Sequence, residues 1–228
     1  MSPRELLRAF AAGRREFHHL DLRGAKLRES EIYDADLRGC DLTGADLRKS
    51  DLSRTVLEGA KLQGADLRKI DLSRATLARA DLTGADLREA DLSRADLRAA
   101  ILRDAKLSEA DLSRANLAGA DATNADFEEA DFEKADLRAA ILRGADLSGA
   151  YFGEALLQLE QLDEAASVDG AEELPRRSAP ELAPSQLLGR ALPDKCPSCG
   201  APVLADQVEW VDVSTARCAY CHTAIKAR

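Results

Sequence analysis

Aromatic side chains make up only 4% of the 228 residues, with one Trp, three Tyr and five Phe. Ala, Leu, Asp and Arg dominate instead, which points to a structure built by repetition. A basic surplus is also missing: 32 Lys and Arg stand against 41 Asp and Glu, a formal charge of −9, and this excludes a generally basic nucleic-acid binder. No apolar run approaches the roughly 18 residues that a membrane span needs. The opening Met1-Ser2-Pro3-Arg4-Glu5 has no signal-peptide architecture, so the expected location is cytoplasmic. Histidines number three, and none of His18, His19 or His222 lies near a nucleophile or a paired acid. Phosphate loops and dinucleotide fingerprints are absent too, so no catalytic residue, small-molecule substrate or enzymatic role is expected. In a reducing compartment the five cysteines are not a disulfide framework. Four of them crowd into the C-terminal region.

What is present is a period of five, unbroken from Leu20 to Leu159 over 28 quintets. The central residue i of each quintet is Leu, Ile or Phe in 27 of the 28, Ala122 being the exception. Position i−2 is Ala, Ser, Thr or Cys in 26, and position i−1 is Asp in 17. A five-residue step turns an α-helix by about 500°, so these leucines would form no stripe on one. On a flat strand an odd period throws alternate leucines to opposite faces. A chain that turns a corner in every quintet resolves both conflicts. Positions i−2 and i then point inward together, and i−1, i+1 and i+2 are expected to face water.

A second period gives the number of corners. Asp-Leu-Ser-Arg recurs at 51–54, 71–74, 91–94 and 111–114, and Arg98-Ala-Ala-Ile-Leu-Arg103 returns at 138–143. Residues twenty apart therefore share an environment, which means four quintets per coil and seven coils. At strand-like spacing of about 4.8 Å per coil the rod is roughly 34 Å long.

This A(D/N)LXX pattern resembles the pentapeptide-repeat family. The resemblance implies an all-β solenoid, a right-handed quadrilateral β-helix with short helical caps. It also implies a non-enzymatic interaction protein, because some members mimic B-DNA in shape and charge and bind type II topoisomerases such as gyrase. Gyrase-protecting members typically dimerise through a C-terminal helix and often carry a projecting loop, whereas here the 28 quintets hold no loop and the C-terminal end of the repeat leads into another domain.

The expected organisation is a cap helix and entry over 1–19, the β-helix over 20–159, a C-terminal cap over 160–171, a Pro-containing linker over 172–194 and a small domain over 195–228. Ser2-Pro3-Arg4-Glu5 reads as a capping box, with the helix over residues 3–12 stopping at Gly13. Phe127 and Phe132 are expected to fill the space left by Ala122. Cys40 stands at an inward i−2 position as a small hydrophobe.

Charge is uneven along the rod. Residues 20–119 carry 19 acidic and 18 basic side chains, whereas residues 120–160 carry 10 and 3. Seven net charges over roughly 10 Å come close to the roughly six of a duplex. Asp126, Glu128, Glu129, Asp131 and Glu133 are therefore candidate partner-binding residues. In the earlier coils an Asp51, Asp71, Asp91 and Asp111 column runs beside an Arg54, Arg74, Arg94 and Arg114 column. Those two columns are expected to relieve each other's like-charge stacking.

Cys196-Pro-Ser-Cys199-Gly and Cys218-Ala-Tyr-Cys221-His, 18 residues apart, fit a tetrahedral thiolate site. The pattern resembles a zinc ribbon, which implies one structural Zn held by Cys196, Cys199, Cys218 and Cys221. Iron in a rubredoxin-like site, a redox pair and disulfides are the alternatives. Val208 to Val213 alternates as a strand should. Trp210 reads either as core of this domain or as an exposed anchor for a protein partner. The domain's charge is too weakly basic for a phosphate-driven DNA site.

The sequence as a whole reads as an adaptor: a rigid rod and a tethered zinc ribbon that bind a protein partner. The second reading is a DNA-mimic binder of DNA gyrase acting through residues 120–160.

Overall fold

The computed structural model describes residues 1–174 and three later strands. The chain divides into two compact units, Met1–Pro175 and Arg176–Arg228.

The first unit opens with helix α1, Pro3–Ala11. Ser2 accepts the Glu5 backbone N–H at 3.3 Å, and the Glu5 carboxylate accepts the Ser2 N–H at 2.7 Å, so two of the helix's first donors are satisfied. Leu6 and Phe10 are buried against the rod's core. The Tyr33 ring meets Phe10 edge-on at 5.6 Å, and the Arg15 guanidinium lies 3.9 Å over the Phe10 ring.

From Glu16 onward each quintet contributes one parallel β-bridge, from position i−1 to the residue twenty further on. Asp46 bridges Asp66 and Asp66 bridges Asp86. The backbone arithmetic of one quintet explains why the period is five. The Asp66 N–H donates to the Ala45 carbonyl of the preceding coil at 2.9 Å. The Leu47 and Lys49 N–H groups donate to Asp66 and Arg68 of the following coil at 2.9 and 3.0 Å. The Ser50 N–H closes the corner onto the Leu47 carbonyl at 3.2 Å. Four of the five N–H groups are thereby used by backbone carbonyls, which leaves only that of i+1.

The corner also fixes a dihedral. Position i+2 has positive φ, between 53° and 69°, at all 28 corners from His19 to Glu154. A turn closed by an i to i+3 hydrogen bond with positive φ at its third residue has the type II signature. Glycine occupies nine of these corners, Gly44 and Gly64 among them.

Every i residue from Leu22 to Phe152 is at most 3% exposed, over a layer of small i−2 residues. The polar i−2 side chains pair with backbone: the Ser30 and Ser50 hydroxyls both donate to the Leu27 carbonyl at 2.6 Å, and Thr55 donates to Leu52 at 2.7 Å. The Cys40 thiol donates to the Phe17 carbonyl at 2.9 Å, and its burial pushes the thiol pKa up. Beside Ala122, Phe127 and Phe132 meet edge-on at 5.2 Å, and Phe132 stacks on Phe152 at 5.1 Å. Ala122 and the three rings all belong to the one buried core cluster.

At the C-terminal end of the rod the chain makes helix α2, Leu159–Leu162, a single turn. The Gln161 side chain donates to the Leu137 and Ala140 carbonyls at 2.8 and 2.6 Å. The chain then rejoins the ladder one residue out of step, with Asp146 bridging Ser167 and Tyr151 bridging Glu172. The coil thus continues past residue 159, and the segment 160–171 is largely ladder rather than helix.

In the second unit, β1 (Glu209–Asp212), β2 (Thr215–Arg217) and β3 (Ala224–Lys226) form an antiparallel sheet in that order. Glu209 pairs with Arg217, and Arg217 with Ala224.

Candidate interaction surfaces

The i−1 aspartates are not simply water-facing, as the sequence pattern suggests. Most are half-buried, and nearly all spend one carboxylate oxygen on the leftover backbone N–H of their own quintet. Asp51, Asp71, Asp91 and Asp111 accept the N–H of Ser53, Ser73, Ser93 and Ser113, all at 2.8 Å. Asp36 accepts from Arg38 at 3.1 Å, and Asn116 does the same job for Ala118 at 3.0 Å. Asp or Asn at i−1 is therefore a backbone requirement of the corner, an Asx-type turn.

The second carboxylate oxygen is spent on a cation where position i+1 is Arg. Arg48 holds Asp46 at 2.8 Å, Arg68 holds Asp66 at 2.8 Å, and Arg98 holds Asp96 at 2.7 Å. The Arg48 hydrogen bond is the main reason the Asp46 pKa falls to about 2, against the opposing effect of burial. Arg38, Arg68, Arg88, Arg98 and Arg138 lower Asp36, Asp66, Asp86, Asp96 and Asp136 in the same way. Such partly exposed pairs contribute on the order of 0–1 kcal/mol each.

Where i+1 is not Arg the pairing lapses, singly at Asp81 and Asp146, whose i+1 residues are Thr83 and Ser148, and over two longer stretches. The first is the Asp-Leu-Ser-Arg column, where i+1 is Ser. Its arginines make no contact ion pair with the neighbouring aspartates, although Asp51 and Asp71 act on Arg54 through space. Arg54 reaches along its own column to Asp34 at 2.7 Å, and among the described residues Arg74, Arg94 and Arg114 form no ion pair. The reason is the corner: Asp is turned onto the Ser N–H, and Arg stands beyond it at the positive-φ position.

The second stretch is the acidic coils. Asp121 is held by Arg103 at 2.6 Å, Asp136 by Arg138 at 2.7 Å and Glu133 by Lys134 at 2.6 Å. Among the described residues, Asp126, Glu128, Glu129 and Asp131 have no cation within ion-pair distance. Asp126 and Asp131 still serve the backbone, accepting the Glu128 and Glu133 N–H groups at 3.1 and 2.7 Å. Of the five sequence-nominated carboxylates, then, Glu133 is paired with Lys134, Asp126 has both oxygens engaged because its second accepts the Ser108 hydroxyl at 2.8 Å, and Asp131 has one engaged. Glu128 and Glu129 have neither an ion pair nor a side-chain hydrogen bond among the described residues. Elsewhere, His18 and His19 line an open cleft of about 600 Å³ with Arg38, Glu58 and Arg79. Its guanidinium groups are already taken, Arg79 by Glu58 and Arg38 by Asp36.

The nominated metal ligands Cys196, Cys199, Cys218 and Cys221 lie outside the described residues. Trp210 falls in β1. Among the described residues no cluster of His, Cys, Asp and Glu is arranged to hold a metal ion, and no helix is long and apolar enough to cross a membrane.

Comparison with known proteins bears on the rod. The family profile described as Pentapeptide repeats matches in eight copies, over residues 16–44, 35–74, 65–104, 75–114 and 115–158, more than half of the chain. The chain belongs to the pentapeptide-repeat family. One solved relative is HetL, a pentapeptide-repeat protein involved in heterocyst differentiation regulation from the cyanobacterium Nostoc sp. strain PCC 7120. It is 31% identical with a TM-score of 0.53, over 75% of this chain and 94% of HetL. Rfr23 from the cyanobacterium Cyanothece 51142 is 24% identical over 68% of this chain and 94% of that one, with a TM-score of 0.34. A trypsin-treated form of QnrB1, a plasmid-mediated fluoroquinolone resistance protein, is 16% identical over 64% and 94%, with a TM-score of 0.40. No curated protein matches the chain. Membership of this family makes the rod a right-handed β-helix solenoid.

Proposed function

We propose that the chain is a non-enzymatic adaptor. Its rod presents a protein partner with a rigid patch of unpaired carboxylates, and its C-terminal unit supplies a second contact. The observation that carries this reading is the local failure of the pairing rule. Nine of the 17 aspartates at i−1 have an Arg within ion-pair distance, whereas at Asp126, Glu128, Glu129 and Asp131 four carboxylates share a small surface without one. A basic surface on a partner would complete the pairing and be steered to it electrostatically.

For the second unit we propose a zinc ribbon. The Arg217↔Ala224 pairing brings together the chain on either side of the Cys218–Cys221 pair, as a thiolate knuckle between antiparallel strands requires. A segment of this size is too small to fold on its own core, so Zn bound by Cys196, Cys199, Cys218 and Cys221 would supply much of its stability. Two modest sites on one chain gain avidity through effective concentration.

The test is affinity capture with three forms of the full chain: the parent, a deletion of 195–228, and Asp126→Asn/Glu128→Gln/Glu129→Gln/Asp131→Asn. The Asn substitutions keep the backbone acceptor. Proteins held by the parent should be lost or weakened in both variants and eluted by salt; retention unchanged in both would reject the adaptor reading. A gyrase supercoiling assay tests the second reading, which rests on a net charge of −7 over residues 120–160. Inhibition by the parent and none by the quadruple variant would make the partner a type II topoisomerase.

A further inference from the structure

The acidic coils are one of the two longer stretches where the pairing rule fails; the Asp-Leu-Ser-Arg column is the other, and it fails differently. There both signs are left over. Asp71, Asp91 and Asp111 have one carboxylate oxygen on a Ser N–H and no cation, while Arg74, Arg94 and Arg114 are exposed and unpaired among the described residues. Between these residues stand only Ser73, Ser93 and Ser113, so nothing bulky separates them over these three coils; the same column reads Tyr33 and Glu133 toward its ends. Each column repeats once per coil, every twenty residues, or about 4.8 Å along the rod.

We propose that a second copy of this chain docks along this stripe, with the two rods side by side and parallel. A two-fold axis running along the serine column places the Asp column of each copy against the Arg column of the other. Asp71 then meets Arg74 of the second copy, Asp91 meets Arg94 and Asp111 meets Arg114, each in both directions. The register is set by the repeat itself, because both sides carry the same spacing. Antiparallel rods would put each column against itself and oppose like charges. A polyanion does not fit either. Duplex phosphates advance about 3.4 Å per strand against about 4.8 Å here, and the Asp column would repel them. In the next coil the same three columns continue as Asp131, Glu133 and Lys134, so the contact runs past Asp131 and Glu133, whereas Glu128 and Glu129 belong to the neighbouring quintet and lie outside the stripe. The proposal rests on the Asp and Arg columns alone and does not depend on the adaptor reading.

The contact is polar and exposed, so the dimer is weak and salt-sensitive. Sedimentation velocity of the full chain at 50 mM NaCl should show a reversible, concentration-dependent dimer. Raising the salt to 500 mM should weaken it by about tenfold or more. Arg74→Glu/Arg94→Glu/Arg114→Glu should be monomeric, as should Asp71→Lys/Asp91→Lys/Asp111→Lys, and a one-to-one mixture of the two should recover the dimer. A parent that stays monomeric at hundreds of micromolar overturns the proposal. So does a dimer indifferent to the Arg triple variant, which would place the contact elsewhere, or two folded variants that fail to complement. If loss of the Ser N–H acceptor unfolds the Lys variant, Asp71→Asn/Asp91→Asn/Asp111→Asn keeps the acceptor and removes the charge. It should weaken self-association severalfold, and an unchanged constant would overturn the idea.

Discussion

A left-handed corner in every quintet has a consequence opposite in sign to the usual rule for exposed residues. Ala99 and Ala139 occupy two of these corners, with φ of 53° and 58°, and both are exposed. An L residue in this region costs roughly 1–2 kcal/mol relative to its preferred backbone. Replacing Ala with Gly removes that cost but adds back about 0.5–1 kcal/mol of unfolded-chain entropy. The net expectation for Ala99→Gly or Ala139→Gly is a gain of about 0.5–1 kcal/mol each. The two sites are forty residues apart, two coils along, and share no partner, so the gains should add to about 1–2 kcal/mol. The reverse substitution supplies the control. Gly64 has φ of +59° and nothing within 4 Å of an added Cβ, so Gly64→Ala carries only the backbone penalty and should lose a similar amount.

Urea unfolding followed by circular dichroism reads the effect as a shift of midpoint at constant slope. A changed slope would mean that the repeat array unfolds in parts, and the comparison would then rest on hydrogen exchange at the affected coil. Lower midpoints for both Ala→Gly variants, together with a higher one for Gly64→Ala, would refute the corner assignment. That is the ordinary pattern for residues with negative φ.

Two further predictions concern charge and metal. The Arg-held aspartates have folded pKa values below their unfolded ones, so their stabilisation is present above about pH 4 and is lost as pH falls toward about 2, the value at Asp46. Thermal midpoints of the rod should hold from neutral pH to about 5 and then drop across that window; a rise in the same window would contradict the pairing. For the second unit, elemental analysis should find one Zn per chain, and a chelator should expose 195–228 to protease while the rod stays resistant. A metal-free chain whose C-terminal unit resists protease under reducing conditions would remove the zinc reading.

The rod was legible because its core is written at two positions in five. Leu or its equivalent at i and a small residue at i−2 leave no other geometry that buries both. The roles of the other three positions depend on backbone hydrogen bonds, which a hydrophobic pattern does not record. Asp at i−1 looked like a solvated charge, yet its constancy reflects the one N–H that the ladder leaves over. The hint was there, since Asn116 replaces Asp without replacing its charge. The nine glycines sharing the i+2 register likewise signalled the left-handed corner. The contact ion pairs were not legible, because spacing alone does not say that Arg at i+1 doubles back to its own Asp. At the far end, the one-residue slip after α2 depends on Gln161 reaching two carbonyls, a contact with no periodic signature.

This division of labour narrows where recognition can reside. Positions i−2 and i answer to the core, i−1 answers to the backbone, and i+2 answers to a dihedral but leaves its side chain free. Only i+1 and i+2 can change charge without disturbing the fold. One i+1 column reads Arg28, Arg48, Arg68, Arg88, Ser108, Glu128 and Ser148 along the rod, so a single line changes sign between its ends. At Glu128 and Glu129 the two free positions coincide, both acidic and both without a cation among the described residues. Substituting Asp126 or Asp131 by Ala would remove a backbone acceptor together with a charge, and lost binding would then report on the corner as much as on the partner. Glu128→Gln/Glu129→Gln changes only charge. If partner binding resides in the acidic coils, this pair alone should account for most of the loss.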